Sequence, residues 1–546
     1  MFSSFTLLDG IILVAYLIVV LSFGFYYSRR QAKNPSDYFL AGRTMGWVTV
    51  GMSIFATNIS SEHFIGLAGS GAARGLAVGQ FEIMAIFILL ALGWFIAPVY
   101  MKSGVTSMPE FLEKRFDKRS RKFFATLSII LYIFTKISVT LFAGGILFYK
   151  IFGINIYASA IIIVLITGIY SVLGGATAVM KNHIFQTVML ILGAVMLTAF
   201  GLHEAGGLRG LQQKLPADYF SMFKPMSDPD FPWTGIIFGA PIIAFWYWCT
   251  DQYIVQRVLS SKSIDDARRG SLLAAFFKIT PIFILVLPGL IAVALFPEIQ
   301  GDDAYPTLLA SNILPMGVKG FVLAGLLSAI MSSLASVFNV TSALFTNDFY
   351  KPRHPEASDR KLVLVARLST MVTIVAAILC VPLVRVINSQ VYLYLQNIQS
   401  LVAPPVTVVF LAGILSKKVT ARAAIWTLVI GEVIGMAKLV LDMMISMNMV
   451  HNTLLLNVAA ISFLHFTILL FIVCAFVIVL LSYIPEETGA NGMDKVSYFF
   501  SDSIKDVSYD SAEAAGALTG GNRINLMFSL AIIAVVFVFS LWGIFF

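Results

Sequence analysis

Residues 55–71, FATNISSEHFIGLAGSG, set Asn58, Ser60, Ser61, Glu62 and His63 between two apolar runs. The set combines hydroxyl and amide groups, a carboxylate and an imidazole, so it can both donate and accept hydrogen bonds. Inside a bilayer such groups are costly. Asp or Lys at the centre of a membrane helix costs about 2.5–3.5 kcal/mol, and each Leu or Ile returns only about 0.3–0.6. The cluster therefore needs partners: another helix, which polar residues can glue through hydrogen bonds, or an ion or polar solute. Helical spacing places Asn58 and Glu62, four residues apart, on one face. Gly51, Gly66, Gly69 and Gly71 flank them and permit a break or close packing. A broken helix bares carbonyl oxygens, which suit a small hard cation, and transporters place such breaks at mid-membrane.

Further polar groups lie in apolar surroundings. Glu82 stands in GQFEIMA, Gln396 and Gln399 in YLYLQNIQSLVAPP, and Ser332 and Ser333 in LSAIMSSLASVFN. Serines in helices commonly bond back to the i−4 carbonyl, so this pair alone carries little. Lys278 lies about ten residues into its span, which at ~1.5 Å per residue is mid-membrane unless the chain snorkels outward. WYWCTDQYIVQR, 246–257, groups three aromatics near the end of a span. They fit an interfacial belt or a flat platform and gate for a ring-shaped polar solute.

The elements that must position these groups follow from composition. The chain has 546 residues, 58% hydrophobic and 12% charged, where a soluble domain carries about 25% charge. Mean hydropathy is +0.88. Apolar runs of bilayer length recur from end to end. This is an all-α polytopic membrane protein, and about fourteen spans are expected, near 7–27, 46–70, 76–100, 121–149, 154–172, 180–202, 234–255, 266–297, 317–346, 361–386, 390–415, 420–443, 456–483 and 524–545. The leader MFSSFTLLDG lacks Lys and Arg and carries Asp9, so the first span is expected to be retained, not cleaved. With Met1 outside, 26 of the 37 Lys and Arg fall in cytoplasmic loops and 7 in outer ones. The bias puts both termini outside a cell membrane. The net charge of +8 is thus spread over membrane borders and calls for no nucleic-acid partner. Cys249, Cys380 and Cys474 all fall in spans, so no disulfide framework is implied. The only long loops, 203–233 outside and 484–523 inside, lack the periodicity of a separate catalytic domain. HEAGG at 203–207 is not HExxH, and G-x-G at 69–71 lacks its third glycine. An enzyme is not expected, nor any cofactor. A channel would call for a water-lined pore, often with charge rings, and a pure sensor would keep the binding site without coupling.

GMSIFATNISSEHFIGLAGSGAARG (51–75), MPEFLEKRF (108–116), LYIFTKIS (131–138), YSVLGGATAV (170–179), FWYWCTDQYIVQR (245–257), AYPTLL (304–309), SAIMSSLASVFN (328–339) and LQNIQSLVAPP (395–405) resemble the sodium/solute symporter family, and within it the sodium/glucose cotransporter branch. The segments cover nearly the whole chain in family order. The resemblance implies a leucine-transporter-like core of two inverted five-helix repeats, 46–202 and 234–415, each with a broken first helix. Around it lie the first helix with its loop (1–45), the loop 203–233 and the C-terminal helices (416–546). It further implies symport of one sodium with a monosaccharide of the glucose or galactose class by alternating access; a myo-inositol or other polyol symporter is the alternative. The sodium ligands would be the carbonyls of Ala56, Ile59 and Ala329 and the hydroxyls of Ser332 and Ser333. Asn58, His63, Glu82, Lys278 and Gln396 would bind the sugar. Tyr247 and Trp248 would stack on it, with Tyr247 closing the inner side, and Leu67, Phe81 and Tyr392 would form the outer lid. Four positions depart from the family pattern. Ala244 replaces a residue that is often Asn, Thr or Ser. Ala335 and His183 stand where relatives that bind a second sodium have a hydroxyl and an Asp, which implies a single sodium here. Ala176 replaces a large apolar residue.

Overall fold

The computed structural model describes residues 5–28, 34–384, 390–484 and 520–545. The expected cytoplasmic connection 484–523 falls, apart from its two ends, outside the described residues, as do Arg29, Arg30, Lys33 and Arg385. The described chain is helical, and its only β pairings are isolated bridges. In order the main helices are α1 (Leu7–Ser28), α2 (Trp47–Asn58), α3 (Ala68–Arg74), α4 (Gln80–Ala91), α5 (Lys118–Leu131), α6 (Ser138–Phe152), α7 (Ile156–Glu204), α8 (Ala240–Phe245), α9 (Gln252–Leu259), α10 (Ile264–Phe277), α11 (Leu287–Leu295), α12 (Val318–Leu344), α13 (Asp359–Val384), α14 (Val391–Leu415), α15 (Ala421–Ser446), α16 (Phe463–Ser482) and α17 (Gly520–Phe545).

Side-chain caps set several of the starts. Asp117 accepts from the Ser120 amide at 2.8 Å to open α5, and Ser263 accepts from the Asp266 amide at 3.0 Å to open α10. Among the described residues ten helices are long and apolar enough to cross a bilayer. The spans expected at 46–70, 154–172, 420–443 and 524–545 fall outside that set as written. The first is interrupted after Asn58, the second and last have shorter apolar stretches (Ile156–Ile169 and Asn522–Val538), and α15 carries Arg422, Glu432, Lys438 and Asp442. The connection expected at 173–179 shrinks to one residue. Gly175, at φ 57° and ψ −160°, joins the two helices of α7, a conformation that L side chains avoid.

α12 is buried along almost its whole length, its serines, threonine and asparagine included, which makes it the central post of the bundle. Two interruptions shape the bundle, and the first packs against α12. Past Asn58 the chain is extended at Ile59 (φ −77°, ψ 117°), then turns through a π-helical segment, His63–Leu67, into α3. Past α8 a second π-helical segment, Trp246–Thr250, ends at Asp251 (φ −71°, ψ 120°), whose carboxylate accepts from the Tyr253 amide at 3.0 Å to start α9. π turns often mark functional positions in helices.

α3 and α11 touch backbone to backbone. A Cβ on Gly289 would sit 2.0 Å from the Ala68 carbonyl oxygen and 2.8 Å from the Ala72 nitrogen. Neither is the end of a flexible side chain, so the helices must part. Gly289→Ala is expected to destabilise the protein by about 1–3 kcal/mol, read as a lowered unfolding temperature in detergent. An unchanged temperature would remove this packing role.

Candidate functional site

Between the two interruptions lies a cavity of about 70 Å³. All seven residues expected to contact the solute line it: Asn58, His63, Glu82, Tyr247, Trp248, Lys278 and Gln396. So do two of the expected lid residues, Phe81 and Tyr392. Leu67 does not; it is fully buried outside the lining.

Lys278 settles the choice between snorkelling and inward reach. It is 1% exposed, donates to Asn58 Oδ1 at 2.8 Å and pairs directly with the Glu82 carboxylate. Both charges are buried, so each depends on the other to offset its lost hydration. Asn58 passes the chain of bonds onward, its Nδ2 donating to the Tyr247 hydroxyl at 3.0 Å. The amide is thereby held by both ends. Lys278 also stands 5.4 Å from the ring centroid of Trp248. On the far wall Gln396 Nε2 and the Tyr392 hydroxyl lie 2.7 Å apart. Gln396 Oε1 is buried without a hydrogen-bond partner among the described residues, which leaves it free to accept from a solute hydroxyl. His63 Nδ1 lies 3.4 Å from the Ser60 amide, from which it accepts weakly, and the ring lines the cavity. Phe81 and Tyr392 meet edge to face at 6.1 Å and are both buried.

Further polar residues complete the wall or stand behind it. Glu62 and Gln399 line the cavity, as does Lys136. Thr140 Oγ1 donates to Glu62 at 3.0 Å. Lys136 sits over the Tyr247 ring at 4.1 Å and the Tyr253 ring at 4.4 Å, and 3.5 Å from Asp251 Oδ2. Tyr132 donates to the other oxygen of Asp251. This cage fixes the Tyr247 ring against the second interruption. Its sequence signal was the intramembrane position of Lys136 together with the Asp of the CTDQY motif. Asn58 and Glu62 do share the cavity, but not by helical spacing. Residues 59 and 60 between them are non-helical, and the two side chains bond to different helices.

One turn behind Asn58 a second constellation forms. Ser332 Oγ lies 2.7 Å from the Ala56 carbonyl and 3.0 Å from that of Ala329, and Ser333 Oγ lies 3.1 Å from the Thr57 carbonyl and 3.3 Å from that of Ile59. The five groups expected to bind sodium converge here, with the Thr57 carbonyl in addition. Neutral oxygens from hydroxyls and carbonyls are fit ligands for a hard monovalent cation. No group of three His, Cys, Asp or Glu among the described residues could hold a metal ion.

The fold and this pairing of a polar cavity with a helix break define a broken-helix membrane transporter. Among solved structures, a Na+-coupled sialic acid symporter in a substrate-bound outward-open state shares the fold, with a TM-score of 0.75 at 22% identity over 88% of this chain and 98% of that one. The nucleobase-cation-symport-1 family transporter Mhp1 follows at TM-score 0.53 and 15% identity, over 86% of this chain and 99% of that one. Residues 38–431 match the sodium:solute symporter family, and the chain belongs to it. Its sequence is 39% identical over 533 residues to sodium/glucose cotransporter 4 of Mus musculus, covering 90% of this chain and 77% of that protein. It is 38% identical over 472 residues to sodium/myo-inositol cotransporter 2 of Sus scrofa, covering 80% and 70%. These relatives are transporters, not enzymes.

Proposed function

We propose that this protein imports a monosaccharide of the glucose or galactose class together with one sodium ion by alternating access. The observation that carries the reading is the shared interruption at Asn58–Ser60. Its carbonyls at Ala56 and Ile59 face Ser332 and Ser333, while the Asn58 side chain faces Lys278 and the cavity. An ion that orders the break also sets the arm that meets the solute. A sugar needs donors, acceptors and apolar ring faces. Lys278, His63 and the amides of Asn58 and Gln396 supply the first two with Glu82, and Tyr247 and Trp248 supply the third. Rocking of one repeat, 46–202, against the other, 234–415, would then expose the site on the opposite side. The excess of basic residues in alternate loops orients both termini outside.

A single sodium is supported by the region behind the break. Ala335 offers no hydroxyl, His183 is bonded to Ser53 at 2.8 Å, and the fully buried Arg257 guanidinium lies beside Thr57, its Nε 3.3 Å from the hydroxyl. A second cation would meet a positive charge there. One ion is also sufficient energetically. A potential of ~100 mV supplies about 2.3 kcal/mol per charge, and a tenfold sodium gradient about 1.4. Together these support roughly 500-fold accumulation at 1:1 coupling.

A polyol is the second reading, favoured by the similarity to a sodium/myo-inositol cotransporter. Competition in membrane vesicles separates them. Sodium-dependent glucose uptake is expected to be inhibited by galactose and little by myo-inositol. Strong inhibition by myo-inositol with weak inhibition by galactose assigns the polyol. Uptake that is indifferent to replacing sodium by choline overturns the coupling.

A further inference from the structure

At one end of the bundle, apart from the solute cavity, a second hollow opens between Phe5 just before α1, the end of α6, the short helix Ala304–Ala310 with the turn after it, and the start of α12. It measures about 400 Å³. Two cations, Lys150 and Lys319, stand in its wall and no carboxylate does; Thr307 and Asn312 add polar groups, and Leu323 and Phe5 an apolar floor. Lys150 is held at 2.9 Å by Asp303, and both are well exposed. Lys319 differs. It is 5% exposed, and its Nζ has no hydrogen-bond partner among the described residues. Asp9 is its countercharge at longer range, but the Asp9 oxygens are already engaged by the Thr6 amide at 2.9 Å, the Thr6 hydroxyl at 2.6 Å and the Gly320 amide at 2.8 Å. Lys319 lines the hollow while its ammonium, with three unused donors, is removed from bulk water, and a buried charge left without a partner is costly.

We propose that this hollow is a binding site for a phosphate-type oxyanion, with Lys319 as its principal ligand and Lys150 at its rim. An oxyanion accepts several charge-assisted hydrogen bonds at once. Two sources carry that chemistry: the headgroup of an anionic lipid, whose chains would lie on the apolar floor, or free inorganic phosphate.

The full-length protein in nanodiscs separates the sources. Unfolding temperature is read by intrinsic fluorescence in pure phosphatidylcholine, in phosphatidylcholine with phosphatidylglycerol, and in pure phosphatidylcholine with inorganic phosphate at ionic strength matched by chloride. Binding to the folded state raises the midpoint, here by about 2 °C or more. A rise with phosphatidylglycerol alone assigns the lipid, and a rise with phosphate assigns the free ion. Lys319→Met is expected to lose the rise and Lys319→Arg to keep it. No rise of the unsubstituted protein in either arm overturns the proposal, whether or not the variants fold. So does an equal rise in Lys319→Met.

Discussion

Lys278→Ala is expected to cut sodium-dependent sugar uptake by about 10²–10³-fold. The number follows from what the substitution leaves behind. Removing one partner of a buried ion pair costs about 3–5 kcal/mol, because the other charge stays in place without compensation, and about 1.4 kcal/mol corresponds to a factor of ten. Here the stranded group is Glu82, 2% exposed, and Asn58 Oδ1 loses its donor in the same step. The solute site therefore loses a cation and the positioning of an amide. Folding must be separated from function, since the pair also contributes to stability. The double variant Glu82→Ala/Lys278→Ala removes both charges, so it is expected to regain thermal stability relative to Lys278→Ala and to remain inactive. Uptake is measured in proteoliposomes and normalised to monodisperse protein. Lys278→Ala transporting at the unsubstituted rate would remove the ion pair from the site.

Each member of that pair, though not their pairing, was visible in the sequence because a bilayer makes isolated charge conspicuous. Glu82 and Lys278 sit in apolar spans 196 residues apart, and the cost of leaving either alone demands a partner. The interruption after Asn58 was legible for a related reason: clustered polar residues and glycines cannot continue a lipid-facing helix. What spacing misjudged was the path between neighbours. A 3.6-residue period assumes regular helix, and the π turns at His63–Leu67, Tyr132–Ile137 and Trp246–Thr250 change the phase of the faces they join. Leu67 ends such a turn and is buried outside the cavity lining it was expected to join. Lys136 was recognisable as an intramembrane cation, but its cage of Tyr247, Tyr253 and Asp251 depends on contacts between elements over a hundred residues apart, which no local pattern encodes. The chain's membership in a symporter family was carried by extended motifs, not by composition.

The serine pair shows the same limit and leads to the other large effect. In sequence Ser332 and Ser333 cannot be told from their neighbours Ser328 and Ser336, which do bond back to the carbonyls of Ala324 and Ser332 in the ordinary helical way. The structure turns the central two outward from α12 to the carbonyls of Ala56, Thr57 and Ile59. Ser333→Ala removes one hydroxyl from a set of neutral oxygens and leaves the backbone carbonyls intact. A hydrogen-bonding group facing a charge contributes about 1.5–3 kcal/mol. The sodium concentration for half-maximal uptake is therefore expected to rise by about tenfold or more. Apparent sugar affinity is expected to worsen at low sodium and to recover as sodium saturates, because Ser333 touches the ion's side of the break and not the cavity. Gln396→Ala should behave in the opposite sense, weakening sugar affinity at every sodium concentration, since Gln396 lines only the cavity. Sodium titrations of sugar uptake in the two variants, side by side, distinguish them. If Ser333→Ala leaves the sodium dependence unchanged, the ion does not bind where the interrupted helix meets α12.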